Sequence, residues 1–541
     1  MEARAMTRVL HDLLRQAAEL SPDKPAVLHK EESMTYGDFR REAGKLADIL
    51  LRAGVGKGDR VGFFLEKRFE KVTSIFGISM AGGVFVPIRR LSLGNQAAHI
   101  LRDSGSRVLI TTYSRLPLLA EFAKDMPELK TVLAIGKEAE ANEAKSVAFP
   151  GVEVLDWTRA MAGASETPGL PRVVEPDLAA ILYTSGSTGS PKGVVLSHLN
   201  IVAGAKTVSE FLKISEQDRL LSILTFGFDY GLNQLTTCFL QRAQIVLLDY
   251  LFPKDIISTA KKFRVTGIGA VATTWIQLVQ SKWSGEDLPD LRYITNSGGA
   301  IPPNLVMELR KRLPKASVFL MYGLTEAFRS TFLDPSLTDQ YPSSMGKAIP
   351  GEEILIFDEH GKPVKPGEVG ELAHRGVLVA QGYWNAPELT AIRFRRNPMQ
   401  APEVPIPEMM VFSGDQVRID AQGFLYFVGR KDEMIKCAGN RLSPTEVEEI
   451  LYASGLVQAA MALGVPHEIY GQTVHIVVEP LEGGEQVTAE KVQAYCKQAM
   501  PAYMVPTGVD LREGLPRNAN GKLDRALIKK QVFEKLGIPP K

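Results

Sequence analysis

The sequence offers little that points to cross-linking, bulk charge or membrane insertion. Its 541 residues include only three cysteines, Cys238, Cys437 and Cys496. They are too few and too widely spaced for a disulfide framework or a zinc knuckle, so buried thiols in a reducing, cytoplasmic setting are expected. Lys+Arg 63 against Asp+Glu 62 leaves a net charge of +1. Without a basic excess, no nucleic-acid partner is expected. No apolar run approaches the ~20 residues that span a bilayer, so no membrane partner is expected either. The N-terminus, MEARAMTRVLHDLLRQ, is broken by charge before a signal-peptide core could form. With 45% hydrophobic and 23% charged residues, disorder of the whole chain is excluded.

Turns are plentiful, with 47 Gly and 33 Pro, and the length suggests roughly three to four folding units. Apolar positions at helical spacing fill residues 9–20, and PAVLH with MTYGDF reads as a hairpin entering a helix over 38–53. GDRVGFFL, GGVFVPI and SRVLITT alternate with helical stretches. The same rhythm returns from residue 178 with AAILYTS, RLLSIL, AQIVLLD, TGIGAVA, RYITNS and SVFLMYG. Strand–helix alternation predicts parallel sheets covered on both faces, here two stacked αβα layers. From about residue 345, GEEILIFDEHGKPV, GEVGELAHRG and GFLYFVGR predict a small β-rich subdomain. After Gly429 a fresh α+β domain begins. The expected division is therefore 1–430 and 431–541, and the expected class is α/β.

ILYTSGSTGSPKGVVLSH, residues 181–198, places Thr184, Ser185, Gly186, Ser187, Thr188, Gly189 and Lys192 behind a short strand. Glycines let a backbone approach a ligand closely, while hydroxyls and exposed N–H groups donate to phosphate oxygens. A flexible linker would have this composition too, but linkers are rarely bracketed by a strand and an apolar run. The Gly–Lys spacing differs from that of a Walker loop.

YTSGSTGSPKG resembles the signature of the adenylate-forming superfamily, which holds acyl- and aryl-CoA synthetases, amino-acid adenylation domains and luciferases. Further similar stretches follow in order: NSGGA (296–300), YGLTE (322–326), GEVGELAHRG with GYWN (367–385), SGDQVRIDAQGFLYFVGRKDEMIKCAGNRLSPTEVE (413–448) and PRNANGKLDR (516–525). The resemblance covers nearly the whole chain and implies ATP, Mg²⁺ and coenzyme A, or the phosphopantetheine of a carrier protein, as cofactors. It implies that Glu326 and Thr188 hold the metal, with Thr325 as a neighbouring oxygen donor. Tyr322 and Gly323, with Ser297, Gly298, Gly299 and Ala300, are expected around adenine, and Asp415 and Arg430 at the ribose. Lys522, Thr188, Glu326 and Lys192 are the expected catalytic groups, since joining two anions needs placed cations rather than a nucleophile. Lys436 and Gly439 belong to a second face of a C-terminal domain that is expected to rotate about a hinge near Asp432.

The acyl pocket departs from common acyl-CoA synthetases. In TFGFDYGLN (225–233) no histidine is present, and Phe228-Asp229 resembles the pair that meets the substrate ammonium in amino-acid-activating domains. Tyr230, Asn233, Thr273, Thr295, Ser297, Met321, Arg329 and Ser330 complete a polar set. A long alkyl chain would leave these groups desolvated and unpaired. A small polar acid or amino acid is therefore expected. Two alternatives are a small neutral acid beside an Asp229–Arg329 pair and an aryl acid against Phe226, Phe228 and Trp275.

The expected reaction is AMP-forming ligation of an acid to a thiol, and the chain after Lys522 is too short for a fused carrier. An enzyme loading a separate phosphopantetheine carrier is the alternative. A luciferase-like oxidase would share the first step, although nothing in the sequence indicates oxygen chemistry. The joint presence of Lys192, Glu326, Asp415, Arg430 and Lys522 argues against an inactive nucleotide-binding homologue.

Overall fold

A computed structural model of the chain describes residues 7–137, 140, 149, 151–185, 191–299, 301–431, 433–437, 440–467, 470–481, 487–502, 504–518 and 521–539. Two large sheets carry the first 350 residues. The seven-stranded sheet runs Glu153–Asp156, Thr131–Ile135, Val108–Thr112, Arg60–Phe64, Val84–Ile88, Leu178–Ser185 and Pro191–Ser197. All its pairings are parallel except the last. Every residue of Val84–Ile88 is buried, the continuous apolar pattern of a strand covered on both faces. The nine-stranded sheet has a parallel centre, from Ser317–Tyr322 through Tyr293–Asn296, Gly267–Ala270, Arg219–Ser222 and Gln244–Leu247 to Pro25–His29.

The two sheets exchange strands relative to chain order. The hairpin Pro25–His29 and Glu32–Thr35 edges the nine-stranded sheet, whereas Leu178–Ser185, expected to open the second layer, joins the seven-stranded one. Fully buried strands read alike in sequence, and the partner is chosen by long-range packing. The helix Tyr36–Arg52 shows how local signals set the joint. Thr35 Oγ1 accepts from the Asp38 N–H, and an Asp38 carboxylate oxygen accepts from the Thr35 N–H, each at 3.1 Å, a reciprocal cap. Tyr36, Phe39, Ala43, Leu46, Ala47 and Leu50 then bury one face at helical spacing.

The β-rich subdomain is a five-stranded antiparallel sheet of Glu352–Phe357, Val369–Gly376, Met409–Ile419, Phe394–Arg396 and Leu425–Arg430. The C-terminal unit has its own sheet, built on the long hairpin Val457–His467 and Gly471–Pro480. Helices Pro444–Ala453 and Ala489–Ala499 lie with it. After a Pro/Asn/Gly-rich stretch comes a last helix, Arg525–Lys535, which buries Ile528 and Val532. All three cysteines are free and buried.

The helix Asp229–Gln241 starts close against the preceding loop. A Cβ on Gly231 would stand 2.2 Å from the Thr225 carbonyl oxygen, a backbone atom with little freedom to yield. Gly231→Ala is therefore expected to destabilise the protein by about 1–3 kcal/mol. Gly163→Ala, with nothing within 4 Å, should change stability by less than ~0.5 kcal/mol. Thermal unfolding of the two variants side by side checks the contrast.

Candidate active site

The two strands that flank the expected phosphate loop pair antiparallel. Thr184 lies opposite Lys192, and Ser185 opposite Pro191, across the antiparallel pair. Gly186, Ser187, Thr188 and Gly189 lie outside the described residues, as do Ala300, Asp432 and Gly439. Beside the hairpin runs the GYWN segment. Val195 N–H donates to Gly382 O at 3.0 Å, and Trp384 N–H to Gly193 O at 2.8 Å. This places Tyr383 next to the YGLTE turn, where its hydroxyl donates to Glu326 Oε1 at 2.6 Å. Ala380 N–H donates to the Glu326 backbone carbonyl at 2.8 Å, so this residue is fixed at both its ends. Burial, with Glu326 adding to it, pushes the Tyr383 hydroxyl well above the usual tyrosine range.

Asp415 and Arg430 face each other across neighbouring strands, in register. Arg430 Nε stands 3.2 Å from Asp415 Oδ1, and the Tyr322 hydroxyl donates to Asp415 Oδ2 at 2.5 Å. Burial raises the Asp415 carboxyl, opposed first by Arg430. A carboxylate whose Oδ1 accepts no hydrogen bond among the described residues, beside an aromatic ring, suits a vicinal diol next to a flat base.

Lys522 comes from the C-terminal unit and reaches the same region. The loop is tight: Asn518 N–H donates to Lys522 O at 2.7 Å, Lys522 N–H returns to Asn518 Oδ1 at 3.2 Å, and Gly521 adopts φ +76°. Its ammonium lies 5.1 Å from the centre of the Phe228 ring. Gly298, at φ +81°, makes room for it, since a Cβ there would meet Nζ at 2.8 Å. Thr273 Oγ1 donates to the Gly521 carbonyl at 2.7 Å. Thr273, expected in the acyl pocket, thus binds the lysine loop. Burial lowers the Lys522 ammonium to about 8, opposed first by Asp229. Three residues on, Arg525 pairs with Glu433 at 3.1 Å and with Glu448 at 2.8 Å. Lys436 sits in the strand Ile435–Cys437 of the same unit.

Beneath Lys522 is a buried polar cluster. Asp229 begins the helix Asp229–Gln241, a position favourable to negative charge, and accepts from the Thr325 hydroxyl at 2.8 Å. Thr325 is thereby committed to Asp229 as well as neighbouring Glu326. Arg329 Nη1 donates to Ser297 Oγ at 3.2 Å, and its guanidinium lies 4.8 Å from the Tyr230 ring centre. Asn233, Thr295, Met321 and Ser330 are buried around them. Burial raises the Asp229 carboxyl, opposed first by Arg329.

A magnesium ion fits this donor set in one way. Among the described residues no three His, Cys, Asp or Glu side chains converge on a metal position. A lone carboxylate such as Glu326 suits a cation that keeps waters and phosphate oxygens as its other ligands. Tyr383 and Phe328 escape residue-level reading of the sequence. Tyr383 lies within a recognisable motif without its role being legible. The strained φ of +52° at Phe328, just before buried Arg329, has no sequence signal because phenylalanine rarely adopts it.

A glutamate held by Tyr383, the Asp415–Tyr322–Arg430 cluster and Lys522 lie on the larger and the C-terminal unit of an adenylate-forming class of fold. The family model for AMP-binding enzymes matches residues 14–384, and the model for their C-terminal domain matches 446–522, so the chain belongs to the AMP-binding enzyme family. Feruloyl-CoA synthase of Amycolatopsis sp is 29% identical over 519 residues, 95% of this chain and 97% of that protein. A linear gramicidin synthase of Brevibacillus parabrevis is 31% identical over 517 residues, 95% of this chain. The chain spans only 6% of that synthase's length, and 8% of tyrocidine synthase 3 from the same organism. The structure superposes on an anthranilate CoA ligase in complex with anthranoyl-AMP with a TM-score of 0.87, at 25% identity and 99% coverage of both chains. No helix among the described residues is long and apolar enough to cross a membrane.

Docking of Lys522 carries a pH signature. Its ammonium falls from the ordinary lysine value of about 10.4 to about 8 when docked. Docking therefore releases a proton between those limits, and raising the pH from about 8 favours the docked state; below that the dependence is flat. Energy transfer between labels on the two units of the ligand-free protein reads this. Thr273→Val should lower the docked-to-undocked ratio about 3–10-fold, and a variant that docks like the wild type would show the bond to be incidental.

Proposed function

We propose that the chain activates a small polar carboxylic acid with ATP and passes the acyl group to a thiol. A carboxylate oxygen attacks the α-phosphorus, the bond from that phosphorus to its bridging oxygen breaks, and pyrophosphate leaves. The thiol then attacks the acyl carbonyl, loses its proton, and AMP departs. The arrival of Lys522 from a separate unit beside Asp229 and Gly298 carries this reading. A cation there lies between the two anions that must meet, and needs no reorganisation at the moment of reaction.

Each residue then has a task. Lys522 offsets charge between the carboxylate and the α-phosphate, and Lys192 and the loop with Thr188 face the outer phosphates. Asp415 and Arg430 hold the ribose, Tyr322 stacks on the base with Ser297–Ala300 as its wall, and Tyr383 orients Glu326. When bound with ATP, Mg²⁺ would be held by Glu326 and Thr188 and would neutralise phosphate charge. The unit from about residue 431 moves about a hinge near Asp432, bringing Lys436 and Gly439 in after Lys522 leaves.

The acceptor is coenzyme A, on the strength of relatives matched over nearly their whole length, such as feruloyl-CoA synthase and the long-chain-fatty-acid–CoA ligase of Bacillus subtilis. The synthetase relatives support a second reading, in which the phosphopantetheine arm of a separate carrier takes the acyl group. Both arms end in the same thiol, so offering each acceptor to the purified protein separates them.

ATP–pyrophosphate exchange across amino, short-chain and aryl acids tests the reading. Lys522→Ala should slow exchange by about 10²–10³-fold, the cost of losing one preorganised charge. Thioester formation from preformed acyl-adenylate should stay near wild type. Equal loss in both half-reactions would overturn the assignment of Lys522 to the first.

A further inference from the structure

The buried cluster under Lys522 contains a cation with an unused face. Arg329 is 1% exposed and donates through Nη1 to Ser297 Oγ. Among the described residues its Nε and Nη2 have no hydrogen-bond partner. The carboxylate of Asp229 comes no nearer than 3.9 Å, between Nη2 and Oδ2, beyond hydrogen-bonding distance. This Nε/Nη2 edge is the one other arginines of the chain use to grip a carboxylate with two parallel bonds. Arg68 does so on Glu70 at 2.8 and 2.8 Å, and Arg264 on Asp290 at 3.1 and 2.9 Å. Two more buried groups near it, Asn233 Nδ2 and Ser330 Oγ, also lack partners among the described residues. The Arg329 edge thus has a charge partner in Asp229 but no hydrogen-bonded acceptor, and buried donors left without one are costly in a protein interior.

Charge order narrows the missing acceptor. Asp229, 1% exposed, feels Arg329 and Lys522 as its attractive charges, so the cluster reads cation, anion, cation. We propose that the acid bound here is an α-amino dicarboxylic acid, its distal carboxylate held by the Nε/Nη2 edge of Arg329. This rests on the reading above that the chain adenylates a small polar acid in this pocket. The reacting carboxylate faces Lys522, the ammonium faces Asp229, and the second carboxylate faces Arg329. Every buried charge then has an opposite neighbour. A neutral acid leaves the Arg329 edge empty, and a dicarboxylate without the amine leaves Asp229 facing anions. Position is enforced from behind. Phe328 holds φ +52°, and its ring fills the space that Gly204 leaves, where a Cβ would stand 2.4 Å away. Such strain persists where the surroundings fix a residue. Arg329 is thus a specificity-determining residue.

The test uses the wild-type protein in ATP–pyrophosphate exchange with aspartate, glutamate, asparagine, glutamine, succinate, glutarate, alanine, and short-chain and aryl monoacids. The expected result is that aspartate or glutamate exceeds both its own amide and its deaminated counterpart by at least about a hundredfold in kcat/KM, as for sites built around a substrate's polar group. In Arg329→Gln the acid-over-amide ratio should fall at least about tenfold. Should that variant not fold, the wild-type panel alone decides. Equal use of acid and amide, equal use with and without the amine, or preference for a monoacid overturns the inference while leaving the adenylation reading standing. Exchange with none of the acids overturns both.

Discussion

Burial of one lysine ammonium holds the site together. Lys522 enters a cleft of the larger unit where water no longer stabilises it, and Asp229 and Asp415 are the neighbours that compensate. An arrangement this costly is stable only if its geometry is built elsewhere. The left-handed Gly298 leaves the space, Asn518 ties the loop, and Thr273 fastens the loop to the core. The same low dielectric that lowers the ammonium's proton affinity strengthens its effect on a phosphate or carboxylate placed beside it. The cost of burying the ammonium and the strength of its effect on a bound anion therefore share one energetic origin.

The two large sheets serve that cleft by delivering strand ends and the turns beyond them. Tyr293–Asn296 leads into Ser297 and Gly298, Ser317–Tyr322 into Glu326, and Leu178–Ser185 runs antiparallel to Pro191–Ser197, which carries Lys192. In open parallel sheets ligands bind outside these carboxyl ends. The β-rich subdomain contributes Asp415 and Arg430 as a cross-strand pair, a placement that needs register rather than a turn. Combining both devices around one cleft explains why so many functional groups come from distant parts of the chain.

Much of this is legible in the sequence. The alternation of strands and helices predicts the layered class, and in the structure Asp415 feels the charges of Arg430 and Glu326, and Lys522 those of Arg430 and Asp415. Strand partners are not legible: the hairpin Pro25–Thr35 and the strand Leu178–Ser185 are apolar segments that either sheet could accept. Thr273 reads as a pocket wall because its position along the chain says nothing of a loop arriving from 248 residues away. The helix Arg525–Lys535 is hidden by the turn-rich residues before it, with only Ile528 and Val532 marking its buried side. Phe328 is invisible, since its backbone is forced by tertiary packing against Gly204 and not by its own preference.

Arg525 gives the small unit a mechanical property. By gripping both Glu433 and Glu448, it ties the Lys522 loop to the segment around Glu433 and to the helix Pro444–Ala453. The lysine therefore cannot trail behind as a loose tether. In the proposed rotation of this unit, Lys522 and the segment around Glu433 travel together.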